Sequence, residues 1–323
     1  MYQYFGESGA DVKMNPKESP LHHDEIYRVA DRIRRRVMDH TLKNNGGYLS
    51  QACSSAEIFA ALYLSVLKLG KVERPIVPAQ FPGVPGANNS KYFTGANYNG
   101  PKSEEYDRFF LSPSQYSLVL YAALIEVGRM AQSGLDQFNQ DGSVVEMIGA
   151  EHSPGMEIMT GSLGQGISQA AGIALARKLK NESGRVVLFM SDGECQAGQF
   201  WEAVQAMSFH KLGNMLIYVD INGYQCDGLM TTVMNIEPFD QRLEAFGARV
   251  YRVNGHDVAA LTELGQLESD GRPIFILCDT DPCRGIPLLE KRVPKLHYVR
   301  FSSEEEKKAY QLAFEQLFKE EKP

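Results

Sequence analysis

The segment between residues 186 and 228 shows the clearest alternation of apolar and polar positions. Two apolar runs, over 186–190 and 215–219, flank a stretch with helical spacing over about 199–210. Short apolar runs bounded by turn residues are typical of buried strands, so the succession predicts a β-α-β unit with parallel strands. Polar residues follow both strands. Because open parallel sheets bind ligands at the edge where their strands end, we expect a site there.

The same pattern predicts the flanking elements. Apolar positions recur every three or four residues over 22–42, which predicts an amphipathic helix. Its remaining faces are expected to be solvated or to form an interface, and they carry Arg32, Arg34, Arg35 and Arg36. A second helix is expected over 56–67, capped by Ser54 or Ser55. Further helices are predicted over 239–246, 261–267 and the tail from 302, and strands over 250–253 and 274–278.

These elements predict an α/β fold with a central, mostly parallel sheet and helices on both faces. We expect a polar N-terminal arm over 1–20 and a single domain over 21–323, with long loops near 71–106 and 133–153. Asp257 and either Ser302 or Ser303 are the expected caps of the last two helices. His256, beside the first of these caps, is expected to be structural.

The polar residues after the two predicted strands have the chemistry of a cation and phosphate site. Asp192 offers a carboxylate and Asn222 an amide oxygen, both of which suit Mg²⁺ or Ca²⁺. Mg²⁺ usually completes its coordination with water and phosphate oxygens, and Gly193 lets a backbone N–H approach a phosphate closely. The alternative is that Asp-Gly and Asn-Gly are ordinary turns. The occurrence of both turns at neighbouring strand ends favours the ligand site.

The pattern of Ser-Asp-Gly followed about 30 residues later by Asn resembles the thiamine diphosphate motif. The surrounding DGE-x-Q-x-GQ-x-WEA and the later KLGN resemble the cofactor-binding half of transketolases. The resemblance implies a thiamine diphosphate-binding fold in which Asp192, Asn222 and the backbone oxygen of Tyr224 hold Mg²⁺, with Ca²⁺ as the alternative. It also implies that Gly193 and Glu194 belong to the cofactor site.

Two further segments extend the resemblance. The stretch T-G-S-L-G-Q-G is similar to the family's loop against the cofactor rings, which implies cofactor contacts for Gly161, Ser162 and Leu163. His152 is the histidine nearest to the family's G-H-P position, and His297 is the candidate for a late histidine that contacts diphosphate and substrate. Both are therefore candidate catalytic residues.

The chain departs from the family at three site positions. Tyr48 and Gln115 stand where the family has histidines in the donor channel, and Ala197 stands where it has a glutamate that links paired sites. Tyr48 and Gln115 can still form hydrogen bonds, but neither is a general base near neutral pH. They are candidate catalytic-channel residues, and the change predicts an unusual donor, such as a sulfonated or branched ketose. The alternative is drift without consequence.

The resemblance covers about residues 25–300, the family's diphosphate-binding domain. Because the expected aminopyrimidine-binding domain and its glutamate have no counterpart here, we expect the N-terminal subunit of a split transketolase. A separate C-terminal subunit would complete an α2β2 enzyme that moves a two-carbon ketol unit from a ketose to an aldose. Two alternatives are the α chain of another thiamine diphosphate enzyme, such as a 2-oxo-acid dehydrogenase, and a regulatory relative that has lost its histidines.

Composition narrows the functional classes. The 323 residues are 43% hydrophobic and 23% charged, with a formal net charge of −7. This mild acidity gives no support for nucleic-acid binding. No apolar run approaches the roughly 20 residues of a membrane span, and the N-terminus lacks an apolar signal core, so we expect a cytoplasmic protein. The five cysteines are expected to be free thiols.

Overall fold

The fold is described from a computed structural model, which describes residues 20–84 and 86–318. The predicted N-terminal arm therefore lies, except for Pro20, outside the described residues. The helices are α1 Pro20–Lys43, α2 Leu49–Ala61, α3 Ser117–Glu126, α4 Gly166–Leu179, α5 Gly198–Phe209, α6 Met230–Val233, α7 Phe239–Ala245, α8 Val258–Leu264 and α9 Glu304–Leu317. The strands are β1 Gly46–Gly47, β2 Arg108–Leu111, β3 Val186–Ser191, β4 Met215–Ile221, β5 Tyr224–Gln225, β6 Gly228–Leu229, β7 Arg249–Asn254, β8 Ile274–Asp279 and β9 Val299–Arg300.

A five-stranded parallel sheet with the order β2-β3-β4-β8-β7 forms the centre of the molecule. The strand, helix and strand predicted between 186 and 219 are β3, α5 and β4, so the predicted β-α-β unit is confirmed. Two short antiparallel pairs, β1 with β9 and β5 with β6, lie outside this sheet. The predicted α/β class with a parallel sheet is therefore confirmed.

The two faces of the sheet are each covered by helices. Alternate side chains of β3 enter different apolar cores because successive residues of a strand face opposite sides. Val187 and Phe189 pack into a core that includes residues of α1, α2, α3 and α8. Leu188 and Met190 pack into a core that includes residues of α4, α5 and α7. Burial on both faces explains why the sequence of β3 is a continuous apolar run.

The beginning of α2 differs from the prediction. The helix begins at Leu49, seven residues before the predicted start, so Ser54 and Ser55 lie inside it and do not cap it. The Ser55 hydroxyl donates to the backbone oxygen of Gln51, four residues earlier, at 2.6 Å. The Ser54 hydroxyl donates to Asp220 at 2.5 Å. Both serines thus find hydrogen-bond acceptors within and across the helix, where the sequence pattern suggested a helix end.

The prediction that the arginines of α1 are solvated or form an interface is also wrong in part. Arg34 is only 3% exposed and forms an ion pair with the buried Glu57 of α2. Arg32 and Arg36 both form ion pairs with Glu126 at the end of α3. This face of α1 therefore packs against α2 and α3. The helix predicted over 261–267 is displaced as well, since α8 spans Val258–Leu264.

The cap predicted for α8 is confirmed. The Asp257 carboxylate accepts a hydrogen bond from the backbone N–H of Ala260 at 3.2 Å. We expect Asp257→Ala to lower the free energy of unfolding by about 1 kcal/mol, because the N–H loses its acceptor. Asp257→Asn should have a much smaller effect, since asparagine caps comparably. Urea unfolding at neutral pH measures both, and equal losses in the two variants would contradict this role of the side chain.

In α9, the Ser303 hydroxyl accepts from the backbone N–H of Glu306 at 3.2 Å. Of the two predicted serines, Ser303 is therefore the one that caps the helix. Within the described ranges, no helix is long and apolar enough to cross a membrane.

Candidate functional site

The carboxyl ends of β3 and β4 lie side by side at one edge of the sheet. Ser191, the last residue of β3, is in register with Asp220 of β4. The backbone N–H of Asp192 donates to the backbone oxygen of Asp220 at 3.0 Å. Asn222 directly follows β4. The two side chains that the sequence predicts as a cation site therefore leave neighbouring strands at the same edge, where ligands of parallel sheets bind.

Asp192 is a buried carboxylate, 2% exposed, that is bound by backbone donors. One of its oxygens accepts from the N–H of Gly193 and the other from the N–H of Gly223, each at 2.8 Å. Burial raises the pKa of Asp192 well above its usual range, and the nearby charge of Asp220 raises it further. In the described parts of the chain, no arginine or lysine forms an ion pair with it. A buried carboxylate in this environment favours a bound cation.

Asp192, Asn222 and Tyr224 meet at one cavity of about 380 Å³. The Asn222 side-chain oxygen accepts from the N–H of Tyr224 at 2.9 Å, and Gly223 between them has φ +76°. This tight turn brings the amide and the Tyr224 backbone close to the carboxylate. Residues 20–84 and 86–318 contain no cluster of three or more His, Cys, Asp or Glu that could hold a metal. The predicted ligand set, one carboxylate, one amide oxygen and one backbone oxygen, fits a hard divalent cation without such a cluster.

A second, smaller cleft of about 90 Å³ is also lined by Asn222 and Tyr224. Its wall includes several residues that the sequence assigns to cofactor or channel, namely Gln115, Leu163, Gly193, Glu194, Asn222 and His297. At Gly193 a Cβ atom would lie 3.2 Å from the Cβ atom of Gln225, so the backbone approaches its neighbour closely at this point. The structure thus brings these predicted residues together around one cleft.

Leu163 lies on a glycine-rich loop that leads into α4. Although apolar, its side chain is 43% exposed at the cleft. Gly161 and Gly164 have φ +89° and φ +78°, which glycine adopts readily and other residues rarely. An exposed apolar side chain in a polar cleft suits contact with an aromatic ring of a ligand. Gly161 and Ser162 precede Leu163 on the loop but do not line the cleft, so their contacts with a cofactor stay a prediction.

Glu194 connects this loop to the end of β3. One carboxylate oxygen accepts from the hydroxyl of Ser112 at 2.5 Å and from the N–H of Gly164 at 3.1 Å. The other accepts from the N–H of Ser191 at 3.2 Å. Burial raises the pKa of Glu194 to about 7, although all three hydrogen bonds act in the opposite direction. Its observed role is to hold the Leu163 loop in place, and direct contact with a cofactor stays a prediction.

His297 reaches the cleft from the segment before β9. Burial lowers the pKa of His297, which favours the neutral imidazole. The ring of Tyr48 packs edge-on against it, with 5.5 Å between ring centroids, and packs similarly against Tyr298 at 5.0 Å. The Gln51 amide donates to the backbone oxygen of His297 at 3.3 Å. Tyr48 therefore supports His297 from behind and is not itself among the residues that line the cleft.

The other two predicted channel residues lie in different surroundings. Gln115 lines the cleft, and within the described residues its side-chain amide has no hydrogen-bond partner. His152 lies outside both cavities; its ring is 3.3 Å from the carboxylate of Glu146 and packs against Phe81, with 4.6 Å between ring centroids. The structure gives His152 no contact with the cleft, and its catalytic role stays a prediction. His256 is buried and hydrogen-bonded to Glu57, consistent with the structural role expected.

Sequence reasoning missed three polar residues of the site. Gln51 and Tyr116 line the cleft, and the fully buried Asp220 contacts Asn222 directly. Asp220 could have been found, since it ends the apolar run of β4 two residues before Asn222. Gln51 and Tyr116 come from α2 and from the turn before α3. Nothing in the local sequence signals that these segments approach the same strand end.

Comparisons with a family model and with known proteins identify the same family. The family model described as transketolase, thiamine diphosphate binding domain, matches residues 88–309. A putative uncharacterized transketolase family protein, y4mO, of Sinorhizobium fredii is 37% identical over 245 residues, which are 74% of this chain and 88% of the relative. These matches favour transketolases over the α chains of other thiamine diphosphate enzymes.

Two further relatives carry more specific names. A protein of Actinobacillus succinogenes named as one subunit of an apulose-4-phosphate transketolase is 28% identical, covering 88% of this chain and 94% of the relative. The 6-deoxy-6-sulfo-D-fructose transketolase subunit SqwG of a Clostridium species is 27% identical, covering 87% of this chain and 93% of the relative. Among solved structures, a transketolase from Campylobacter jejuni superposes with a TM-score of 0.69 at 22% identity, which shows the shared fold. The chain covers 46% of that protein's length.

Proposed function

The chain belongs to the transketolase family of ketol-transferring enzymes, and on that premise we propose that it is the N-terminal subunit of a split transketolase. It binds thiamine diphosphate through Mg²⁺, and a separate C-terminal subunit completes the active site in a cytoplasmic α2β2 enzyme. The observation that carries the cofactor proposal is Asp192, a buried carboxylate at a cavity that Asn222 and Tyr224 also line.

Different residues of the chain would bind the cation, the diphosphate and an aromatic ring of the cofactor. Asp192, Asn222 and the backbone oxygen of Tyr224 would hold the cation, and the N–H of Gly193, which donates to Asp192 in this structure, would donate to a diphosphate oxygen. The exposed face of Leu163 supports an aromatic ring. When bound, thiamine diphosphate supplies the reactive carbon and the electron sink for the two-carbon fragment. His297, favoured as the neutral form, can exchange a proton with a substrate hydroxyl at the cleft.

The relatives support a split enzyme. This chain aligns over almost the full length of two proteins named as transketolase subunits and over less than half of a solved transketolase. We therefore expect the chain with thiamine diphosphate and Mg²⁺ to show no measurable ketol transfer, and activity to appear when the C-terminal subunit is added. The adjacent reading frame is the first place to seek that subunit. Full turnover by the chain alone would refute the proposal, and light scattering of the mixture tests the α2β2 stoichiometry.

We further propose a ketose donor other than xylulose 5-phosphate. In the cleft, Gln51 and Gln115 present neutral amides, and Tyr48 stands behind His297 at a position where the family has histidine. Two relatives are named for apulose 4-phosphate and for a sulfo-sugar, 6-deoxy-6-sulfo-D-fructose. A branched or a sulfonated ketose is therefore the substrate class to test first.

Restoring both histidines tests this proposal. We expect the double variant Tyr48→His with Gln115→His, assayed in the two-subunit enzyme, to raise kcat/KM for xylulose 5-phosphate by about tenfold. Its kcat/KM for the branched or sulfonated donor should fall. Tyr298→His is the matched control, because it places a histidine against Tyr48 at a position where the family resemblance implies no channel histidine. No gain with xylulose 5-phosphate, or an equal gain in the control, would contradict the proposed reshaping of the channel.

A further inference from the structure

Asp220 is a fully buried carboxylate at the end of β4, and side-chain donors surround it. One of its oxygens accepts from the hydroxyls of Ser54 and Tyr116 at 2.5 and 2.6 Å and from the amide of Asn222 at 3.2 Å. The other accepts from the hydroxyl of Thr280. No arginine or lysine of the described residues forms an ion pair with this carboxylate. It therefore acts as an acceptor at the meeting point of four segments of the chain.

The contacts of Asn222 are asymmetric. Its side-chain nitrogen lies 3.2 Å from the Asp220 carboxylate and 3.1 Å from the hydroxyl oxygen of Tyr116. The Tyr116 hydroxyl already gives its hydrogen to Asp220, so toward Asn222 it can only accept. Toward Asn222 both neighbours therefore act as hydrogen-bond acceptors, and its amide nitrogen has two hydrogens to donate to them.

This arrangement fixes which end of the amide faces the cation site. If the amide were turned by 180°, its oxygen would face a carboxylate oxygen and a hydroxyl with no free hydrogen. That orientation is disfavoured, because the amide oxygen would lie against two oxygens that have no hydrogen to donate to it. The Asn222 oxygen therefore points away from Asp220, on the side where it accepts from the N–H of Tyr224. A neutral amide can bind a hard cation only through this oxygen.

From this geometry we propose that Asp220 and Tyr116 are positioning residues for the cation site. They hold the amide nitrogen of Asn222 so that its oxygen is presented to the metal ion. The inference rests on the proposed function, because it requires Asn222 to be a ligand. It adds two residues that the Asp-Gly and Asn motif does not contain.

The test uses the full chain with thiamine diphosphate and Mn²⁺, whose binding is followed by electron paramagnetic resonance. We expect Asp220→Asn and Tyr116→Phe each to weaken Mn²⁺ binding by about 10- to 100-fold, the usual effect of removing a residue that orients a metal ligand. Ser54→Ala is the matched control. It also removes one hydrogen bond from Asp220, but among the described residues Ser54 forms no hydrogen bond with Asn222. We expect its Mn²⁺ affinity to stay within about twofold of the wild type.

A second measurement separates positioning from general destabilisation. Mg²⁺ demands nearly ideal octahedral ligands, whereas Ca²⁺ accepts flexible geometry. A misoriented amide should therefore weaken Mg²⁺ binding more than Ca²⁺ binding in Tyr116→Phe. The melting temperature in a chelator gives the cost to the fold alone. In Ser54→Ala that temperature is expected to fall while the ratio of the two cation affinities stays at the wild-type value.

The outcomes distinguish the inference from its premise. If the wild-type chain shows no cation-dependent binding of thiamine diphosphate, alone or with its partner subunit, the proposed function fails and the inference fails with it. If the wild type binds but all three variants lose affinity only in proportion to their melting temperatures, Asp220 and Tyr116 are structural and the inference is overturned. The inference is likewise overturned if Asp220→Asn and Tyr116→Phe bind Mn²⁺ as tightly as Ser54→Ala.

Discussion

The Asp192→Asn variant is expected to lose cation-dependent binding of thiamine diphosphate by at least about 100-fold. Removal of residues that merely orient a metal ligand typically costs 10- to 100-fold, and Asp192 would supply the charged ligand itself. Isothermal titration with thiamine diphosphate at a fixed Mg²⁺ concentration measures the effect. Asp227→Asn is the matched control, because Asp227 is an exposed carboxylate in the turn between β5 and β6 and lies outside both cavities.

The same substitution is expected to leave the metal-free fold intact. Without a cation, Asp192 is a buried carboxylate held by the backbone N–H groups of Gly193 and Gly223, and burial already raises its pKa. Asparagine removes that buried charge and keeps one oxygen for one of the two donors. The melting temperature in a chelator should therefore stay close to the wild-type value.

Ligand-induced stabilisation gives the sharpest readout of this prediction. A ligand at 100 times its dissociation constant stabilises the folded state by about 2.7 kcal/mol. The wild type and Asp227→Asn should gain a stabilisation of this order on addition of Mg²⁺ and thiamine diphosphate, seen as a rise in melting temperature, whereas Asp192→Asn should gain about 0.4 kcal/mol or less. A full thermal shift in Asp192→Asn would exclude this carboxylate as a metal ligand.

The site could be predicted from sequence where its geometry follows from the sheet alone. Apolar runs located β3 and β4, and a right-handed crossover leaves little choice about where their ends meet. Asp192 and Asn222 could therefore be paired although they are 30 positions apart in the sequence. The register of Ser191 with Asp220 confirms that placement. The same logic located the fold class, because parallel strands buried on both faces have continuous apolar sequences.

Other features depend on contacts between distant segments, and local patterns misjudge them. Serines favour helix caps, so Ser54 was expected at the start of α2, yet its hydroxyl is satisfied by Asp220 on β4. Arg34 was expected on an exposed or interface face because arginine is usually solvated. Its burial depends on Glu57 of α2, which the sequence of α1 cannot reveal. Gln51 reaches the cleft for the same reason, through the packing of α2 against the segment that carries His297.

A buried ionic cluster around Glu57 joins four segments of the chain. Glu57 is 1% exposed and forms an ion pair with Arg34, which is 3% exposed. His256 also bonds to Glu57, through a ring nitrogen at 3.1 Å, and its other ring nitrogen accepts from the N–H of Asp281. The ring therefore carries its hydrogen on the side of Glu57. The half-exposed Arg284 lies 3.9 Å from the same carboxylate.

Glu57→Ala is expected to lower the free energy of unfolding by about 3–5 kcal/mol, because the buried Arg34 guanidinium loses its buried carboxylate and keeps only an ion pair with the exposed Asp31. Glu126→Ala is the matched control. Glu126 also pairs with arginines of α1, but Arg32 and Arg36 are 29% and 22% exposed and can be solvated, so we expect a loss of about 1 kcal/mol. Urea unfolding at neutral pH compares the two. A similar small loss in both variants would contradict the special role of burial.

The sign of the pH dependence provides an independent test of the cluster. Burial alone would raise the pKa of Glu57, but the hydrogen bond from His256 and the charge of Arg34 lower it to about 2. Between an unfolded-state pKa of about 4.3 and a folded-state pKa near 2, the unfolded chain takes up a proton that the folded chain does not. The stabilisation is therefore complete above that window and is lost as the pH falls through it. Glu57→Gln should remove this part of the acid sensitivity of folding.

The double variant Arg34→Met with Glu57→Leu should lose less stability than Glu57→Ala, since no buried charge then stays unpaired. A double variant at least as unstable as Glu57→Ala would mean that packing, and not the unpaired guanidinium, accounts for the loss.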